Sequence, residues 1–150
     1  MIFVNIVFFK VITYLSMVKN SEFVEYKETE IYIVGLRPDG IIHVFYKDNV
    51  EITVNLQLEL NEIFKSFCQN GPRLFLFQAG RNCSINKPAR DNAIVMQDQV
   101  PAIAYVVYAQ NMVYKMIANF YYKFNKPKQP FYVVTDFEYG IAWLLKHKPN

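Results

Sequence analysis

Histidine, cysteine and tryptophan are scarce in this chain, at two, two and one in 150 residues. The His and Cys residues show no ligand spacing, so there is no basis for a metal centre. Neither GxxxxGK[ST] nor GxGxxG occurs, which removes the phosphate cradles those loops build. Nucleophilic catalysis needs Ser or Cys beside an oriented base. Here His43 falls mid-strand and His147 in the charged last turn of a terminal helix, so both read as structural or surface groups. No catalytic residue is assigned, no cofactor is called for, and the chain reads as a non-enzyme. Cys68 lies among apolar helix positions and Cys83 in a polar loop, as in a reduced, cytoplasmic protein. A net charge of +3 on scattered lysines leaves no footprint for nucleic acid.

Long apolar runs are also missing, with one exception. Residues 1–18, MIFVNIVFFKVITYLSMV, are interrupted by Asn5 and Lys10 and fall short of the about 20 residues that a bilayer span takes. No stable membrane span is expected. No Lys or Arg precedes the apolar core and no small-x-small site follows it, unlike a secretory signal. Residues 1–20 are read as an apolar leader, either an extra strand or helix or sequence ahead of a true start at Met17, with the second reading favoured. Residues 26–147 are read as one domain, a size able to bury about two-thirds of its unfolded surface without staples.

What the chain does have is aromatic weight, 13 Phe and 11 Tyr, and a clear order of elements. Residues 30–36 and 41–46 read as strands around Arg37-Pro38-Asp39-Gly40, a turn in which Pro presets φ and Gly accepts a positive one. Residues 50–58 alternate like a strand, while Leu56, Leu60, Ile63, Phe64 and Phe67 share a helical face. A helix over residues 53–69 accounts for the longer pattern, with Thr53 as N-cap and Gly71-Pro72 as the stop. RLFLFQA at 73–79 reads as a strand. A polar loop over 80–87 and a short helix from Pro88 to about Met96 follow.

The segment 100–143 is the organising core. It runs from an apolar strand through a helix at 109–124, with Met112, Val113, Met116, Ile117, Phe120 and Phe124 on its buried face, to a strand at 131–134. Thr135-Asp136-Phe137-Glu138 matches a capping box with Thr135 as N-cap. It opens a helix buried through Phe137, Ile141, Leu144 and Leu145, with Trp143 half-covered beside that stripe. The expected fold is α/β, with a mixed, mostly parallel five-stranded sheet, a β-hairpin opening and about four helices, in the order ββαβαβαβα.

In that order, Asp39-Gly40-Ile41, Ala89-Arg90, the strand Ala102–Tyr108, Asn119-Phe120 with Lys126-Pro127, Pro130 and Phe131, and the helix ending Ala142-Trp143-Leu144-Leu145 carry a resemblance. Over about residues 26–147 the chain resembles the small bacterial STAS/SEC14-type, or SpoIIAA-like, domains, most closely a group without assigned activity. The resemblance implies a noncatalytic regulatory or protein-interaction module. Anti-sigma-factor antagonists of that superfamily carry a phosphorylatable serine in an Asp-Ser-Gly setting after the central strand. This chain has Gln78-Ala79-Gly80-Arg81-Asn82-Cys83-Ser84 there, without the acid and with Ser84 displaced. SEC14-type relatives hold lipophilic ligands in a larger, more helical frame.

Arg81, Lys87 and Arg90 with Ser84 are the candidate binding residues, gathered at a helix start beyond a parallel strand, where helix amides attract anions. The alternative to a protein partner there is a small ligand, anionic or lipophilic. A pocket lined by Phe and Met favours the ligand, and a flat face favours the partner. Glu28 and Glu30 share a strand face but read as solvated acids. Tyr121, Tyr122, Lys123, Lys126 and Lys128 read as half-buried helix residues and solvated lysines rather than a nucleic-acid surface.

Overall fold

The structure, a computed structural model, describes residues 23–124 and 126–150; the apolar leader at 1–20 lies outside the described residues. Among the described residues, eight strands and four helices follow one another: β1 (Glu25–Glu28), β2 (Tyr32–Leu36), β3 (Ile41–Tyr46), β4 (Glu51–Ile52), α1 (Val54–Phe67), β5 (Arg73–Ala79), β6 (Ser84–Ile85), α2 (Lys87–Met96), β7 (Ala102–Tyr108), α3 (Met112–Phe124), β8 (Phe131–Val134) and α4 (Phe137–Leu145). The main sheet runs β1-β2-β3-β5-β7-β8, and β4 pairs with β6 in a separate two-stranded ladder. The α/β class, the opening hairpin and the mostly parallel sheet are as expected. The main sheet has six strands rather than five, because Glu25–Glu28 pairs antiparallel with β2. That strand is charged and largely exposed, so it carries no apolar alternation to announce it.

The hairpin puts Tyr32 opposite Tyr46 and Leu36 opposite Ile42. Its turn is closed by Arg37 O accepting from Gly40 N at 3.0 Å, with Gly40 at φ +87, where a side chain would be strained. From β3 onward every pairing is parallel, through β5 and β7 to β8. This order moves steadily in one direction, so three right-handed crossovers lay α1, α2 and α3 on the same face of the sheet. α4 follows the last strand and covers the other face.

Two cores result. On the first face Tyr32, Val34, Ile42, Val44 and Phe75 pack with Leu56, Leu60, Phe64 and Phe67 of α1. On the second, Ile41, Leu74, Leu76, Ala104, Val106 and Val134 pack with Ile141 and Leu144 of α4. α4 lies very close to the strands: a Cβ at Gly140 would meet Val134 Cγ2 at 2.8 Å.

The caps show where local chemistry decides. Thr53 Oγ1 accepts from Leu56 N at 3.2 Å, the N-cap read from the sequence. At the start of α4 the cap is Asp136, not Thr135: Asp136 Oδ1 accepts from Tyr139 N at 2.8 Å. Both residues are good caps, and β8 runs only to Val134, which leaves room for one more non-helical residue. Leu145 is exposed at 37 % and not part of the α4 core. Met112 and Met116 are likewise 62 % and 68 % exposed, against the expected buried face of α3. Apolar residues surround that helix on more than one side, so periodicity could not select the face; the side chains of Val113, Ile117, Phe120 and Phe124 lie outside the described residues. Among the described residues, no helix is long and apolar enough to cross a membrane.

Trp143 stacks on Tyr132 with centroids 5.4 Å apart and an 18° interplanar angle, at the rim of α4, while Leu144 is fully buried. Leu144→Ala should therefore lower stability by about 2–5 kcal/mol, and Trp143→Ala by less. Urea melts of the two variants check the order.

Candidate functional site

An apolar chamber of about 620 Å³ lies between the sheet and α1–α3. Its floor is the aromatic surface of the central strands, Phe75 and Phe77 of β5 with Tyr105 and Val107 of β7. These residues face the same way because Phe75 is in register with Tyr105 and Phe77 with Val107. Leu60 and Phe64 of α1 form one wall, Ala93, Ile94 and Met96 of α2 another, and Tyr114 and Ala118 of α3 with Pro127 and Phe131 a third. Phe64 meets Phe75 edge-on at 5.2 Å, filling the space beside α1. Ala93 of α2 and Ala118 of α3 are the short side chains among the described lining residues of those two helices.

α2 is held by polar groups at its margins rather than by apolar side chains driven into the sheet. Gln57 Nε2 donates to Ala89 O at 2.9 Å and Asn92 Nδ2 donates to Gln57 Oε1 at 2.9 Å, tying α2 to α1. At the other end Lys128 N donates to Gln97 Oε1 at 3.0 Å and Lys128 Nζ pairs with Asp98 at 2.6 Å. Where the helix begins, Asn86 Oδ1 caps it by accepting from Ala89 N at 2.9 Å. Asn86 follows β6, which the ladder Glu51↔Ser84 and Ile52↔Ile85 fixes beside β4. The strand-like alternation at residues 50–52 belongs to β4, and the helical stripe after it belongs to α1. Sequence reasoning missed this ladder because two residues are too few to show a period.

The four candidate binding residues are not brought together at one point. Ser84 and Arg90 line the chamber. Arg90 Nη1 donates to Ile85 O at 3.0 Å, which fixes its guanidinium at the corner where β6 meets α2. Arg81 belongs to a separate polar recess of about 390 Å³ with Asp48, Asn49, Asn82, Gln110, Asn111 and Tyr114, and its guanidinium pairs with Asp48 at 3.2 Å. Lys87 is exposed and pairs with Asp91 one helical turn on, at 2.9 Å. The residue that sequence reasoning missed is Tyr114, which lines both hollows; an amphipathic residue at the edge of an apolar stripe was the available signal. Glu28 is engaged by Lys47 at 3.0 Å.

The chemistry of the lining is subdued. Burial pushes the Tyr105 phenol up to about 12, with Cys68 adding in the same direction. Burial also raises the Tyr46 phenol, with Cys83 adding to it, and raises the Cys83 thiol, whose Sγ donates to Lys47 O at 3.0 Å. These groups are held neutral. Neither histidine is among the described lining residues, and no cluster of three His, Cys, Asp or Glu among the described residues could hold a metal ion.

The fold and site together define an α/β domain with helices wound along one face of its sheet and an apolar chamber beneath them. The chain belongs to the family described as Domain of unknown function (DUF7793), whose model matches residues 34–148. The match begins inside β2 and runs through α4, so it spans every element of the chamber. No curated protein and no solved structure matches the chain.

His43 stands on the opposite face, between the rings of Phe23 and Phe137, and is 1 % exposed. Its Nε2 donates to Gln78 Oε1 at 3.0 Å, and its Nδ1 has no hydrogen-bond partner. Burial lowers its pKa to about 4 from 6.5, with Arg37 lowering it further and Gln78 and Asp39 opposing. The unfolded chain binds this proton at higher pH than the folded one, so stability is full above about pH 6.5 and declines as pH falls towards 4, by about 3 kcal/mol in all. His43→Gln keeps a donor for Gln78 and should flatten the stability profile between pH 7 and 4, measured by urea unfolding against the parent.

Proposed function

We propose that this domain is a noncatalytic module that binds one lipophilic small molecule in the chamber between its sheet and α1–α3. The observation behind this is the chamber itself, about 620 Å³ and walled by Phe, Tyr, Ile, Leu, Val and Met. That volume falls within the roughly 300–1,000 Å³ of small-molecule sites, which are mostly apolar with a few placed polar groups. The resemblance to SEC14-type domains agrees with a lipophilic ligand. A protein partner meeting a cationic surface at residues 80–90 is the lesser reading, since Arg81 and Lys87 are directed to Asp48 and Asp91 in separate exposed pairs.

Val107→Trp should test this directly, because the indole would occupy the chamber from its floor. The neutral fluorophore N-phenyl-1-naphthylamine should bind the parent saturably at one per chain, and Val107→Trp should abolish that binding. Filling an apolar void commonly stabilises by about 0.5–2 kcal/mol, so the melting temperature of the variant should hold or rise. Undiminished binding in a folded Val107→Trp would show that the probe sits elsewhere.

A further inference from the structure

The face of the sheet away from the chamber is covered in two parts. Over β5, β7 and β8 the cover is α4, whose Ile141 and Leu144 pack with Leu74, Leu76, Ala104, Val106 and Val134. Over β2 and β3 the same face continues with Ile33 opposite Phe45 and Gly35 opposite His43. Ile33 and Phe45 form a cluster of their own, and among the described residues the partly buried hydrophobic packed against it is Phe23. Ile33 is nevertheless 0 % exposed and Phe45 6 %. Burial that complete takes apolar neighbours on every open side, and a single ring supplies only part of them.

Phe23 also shows from where the chain arrives. Its ring lies on Gly35 so closely that a Cβ there would collide with it, and it stands 6.0 Å from the ring of His43. One residue later Val24 N donates to Leu36 O at 2.7 Å, as the chain enters the β1 edge. The chain therefore lies over β2 on this face just before β1 begins, beside Ile33 and Phe45. Immediately upstream, residues 19–22 are the polar Lys-Asn-Ser-Glu, and before them runs the apolar stretch 1–18. Residue 18 is five residues from Phe23, so it stands at most about 18 Å away, within about four strand spacings. A tethered segment meets the face at a high effective concentration. A second copy of the chain lacks that advantage.

We propose that the apolar stretch at 1–18 is the cover of this part of the sheet, an intramolecular partner docked on Ile33 and Phe45 beside Phe23. It then belongs to the domain and is not sequence ahead of a start at Met17. The proposal concerns the face opposite the chamber and stands whether or not the chamber binds a ligand.

The test uses the full chain, labelled with 13C and 15N. Nuclear Overhauser contacts should join the Ile33 methyl groups to side chains of residues 1–16, and a spectrum in which Ile33 shows none would overturn the proposal. A full chain carrying Phe8→Asp and Phe9→Asp should melt roughly 5–10 °C lower. It should also shift the Ile33, His43 and Phe45 resonances while leaving Phe64 and Phe75, on the other face, in place. If that variant does not fold, the contacts in the parent decide alone. Unchanged melting together with unchanged Ile33 and Phe45 resonances would overturn the proposal. Contacts to Ile33 that arise only between labelled and unlabelled chains in a mixed sample would also overturn it, and would assign the face to a second copy.

Discussion

Laying β3, β5, β7 and β8 side by side in chain order commits the chain to three crossovers that all move the same way. With the right hand that parallel connections take, three helices must then share one face. A sheet wound in both directions puts its crevice at the edge where the strand order reverses. This sheet has no reversal after β3, so the strand ends alone do not build a crevice. An apolar hollow lies instead between the sheet and the three helices that cover one broad face of it.

This accounts for the fate of the cations read from the sequence. Arg81, Lys87 and Arg90 are close along the chain, and a helix start beyond a parallel strand is a sound place to look for an anion. The two-residue ladder between β4 and β6 changes the outcome. By fixing residues 84 and 85 beside 51 and 52 it separates Arg81, on the loop before the ladder, from Arg90, on the helix after it. One then serves Asp48 in the polar recess, and the other reaches the edge of the apolar chamber. Spacing in sequence could nominate these residues, but only the pairing of two short strands could sort them.

The fold was legible wherever one signal had no rival. Pro and Gly at 38 and 40 allowed one turn, Thr53 stood alone as a cap, and RLFLFQA could only be an interior strand. It was less legible where two adjacent residues offered the same chemistry, as Thr135 and Asp136 did, or where apolar residues encircled a helix, as in α3. β1 was hidden for a different reason. An edge strand of Glu, Tyr, Lys and Glu is held by backbone pairing with β2, and charge on an edge discourages pairing with other chains, so its sequence resembles a loop.

The chamber could not be read from the sequence because its floor and walls come from residues far apart in the chain. Phe75, Phe77 and Tyr105 read as ordinary core residues until the strands that carry them are laid side by side. A gap of this kind would ordinarily close, as helices settle onto an apolar surface to recover dispersion contacts. Here the polar ties at the margins of α2, Gln57 to Ala89 and Asn92 at one side and Gln97 to Lys128 at the other, set its height above the sheet. Settling further would break hydrogen bonds worth about 1 kcal/mol each. Under the proposed function, a ligand in the chamber would supply such contacts with those ties intact. A ligand of that kind at a hundred times its dissociation constant would stabilise the domain by about 2.7 kcal/mol, and the proposal would then link ligand level to fold stability through the helices that roof the chamber.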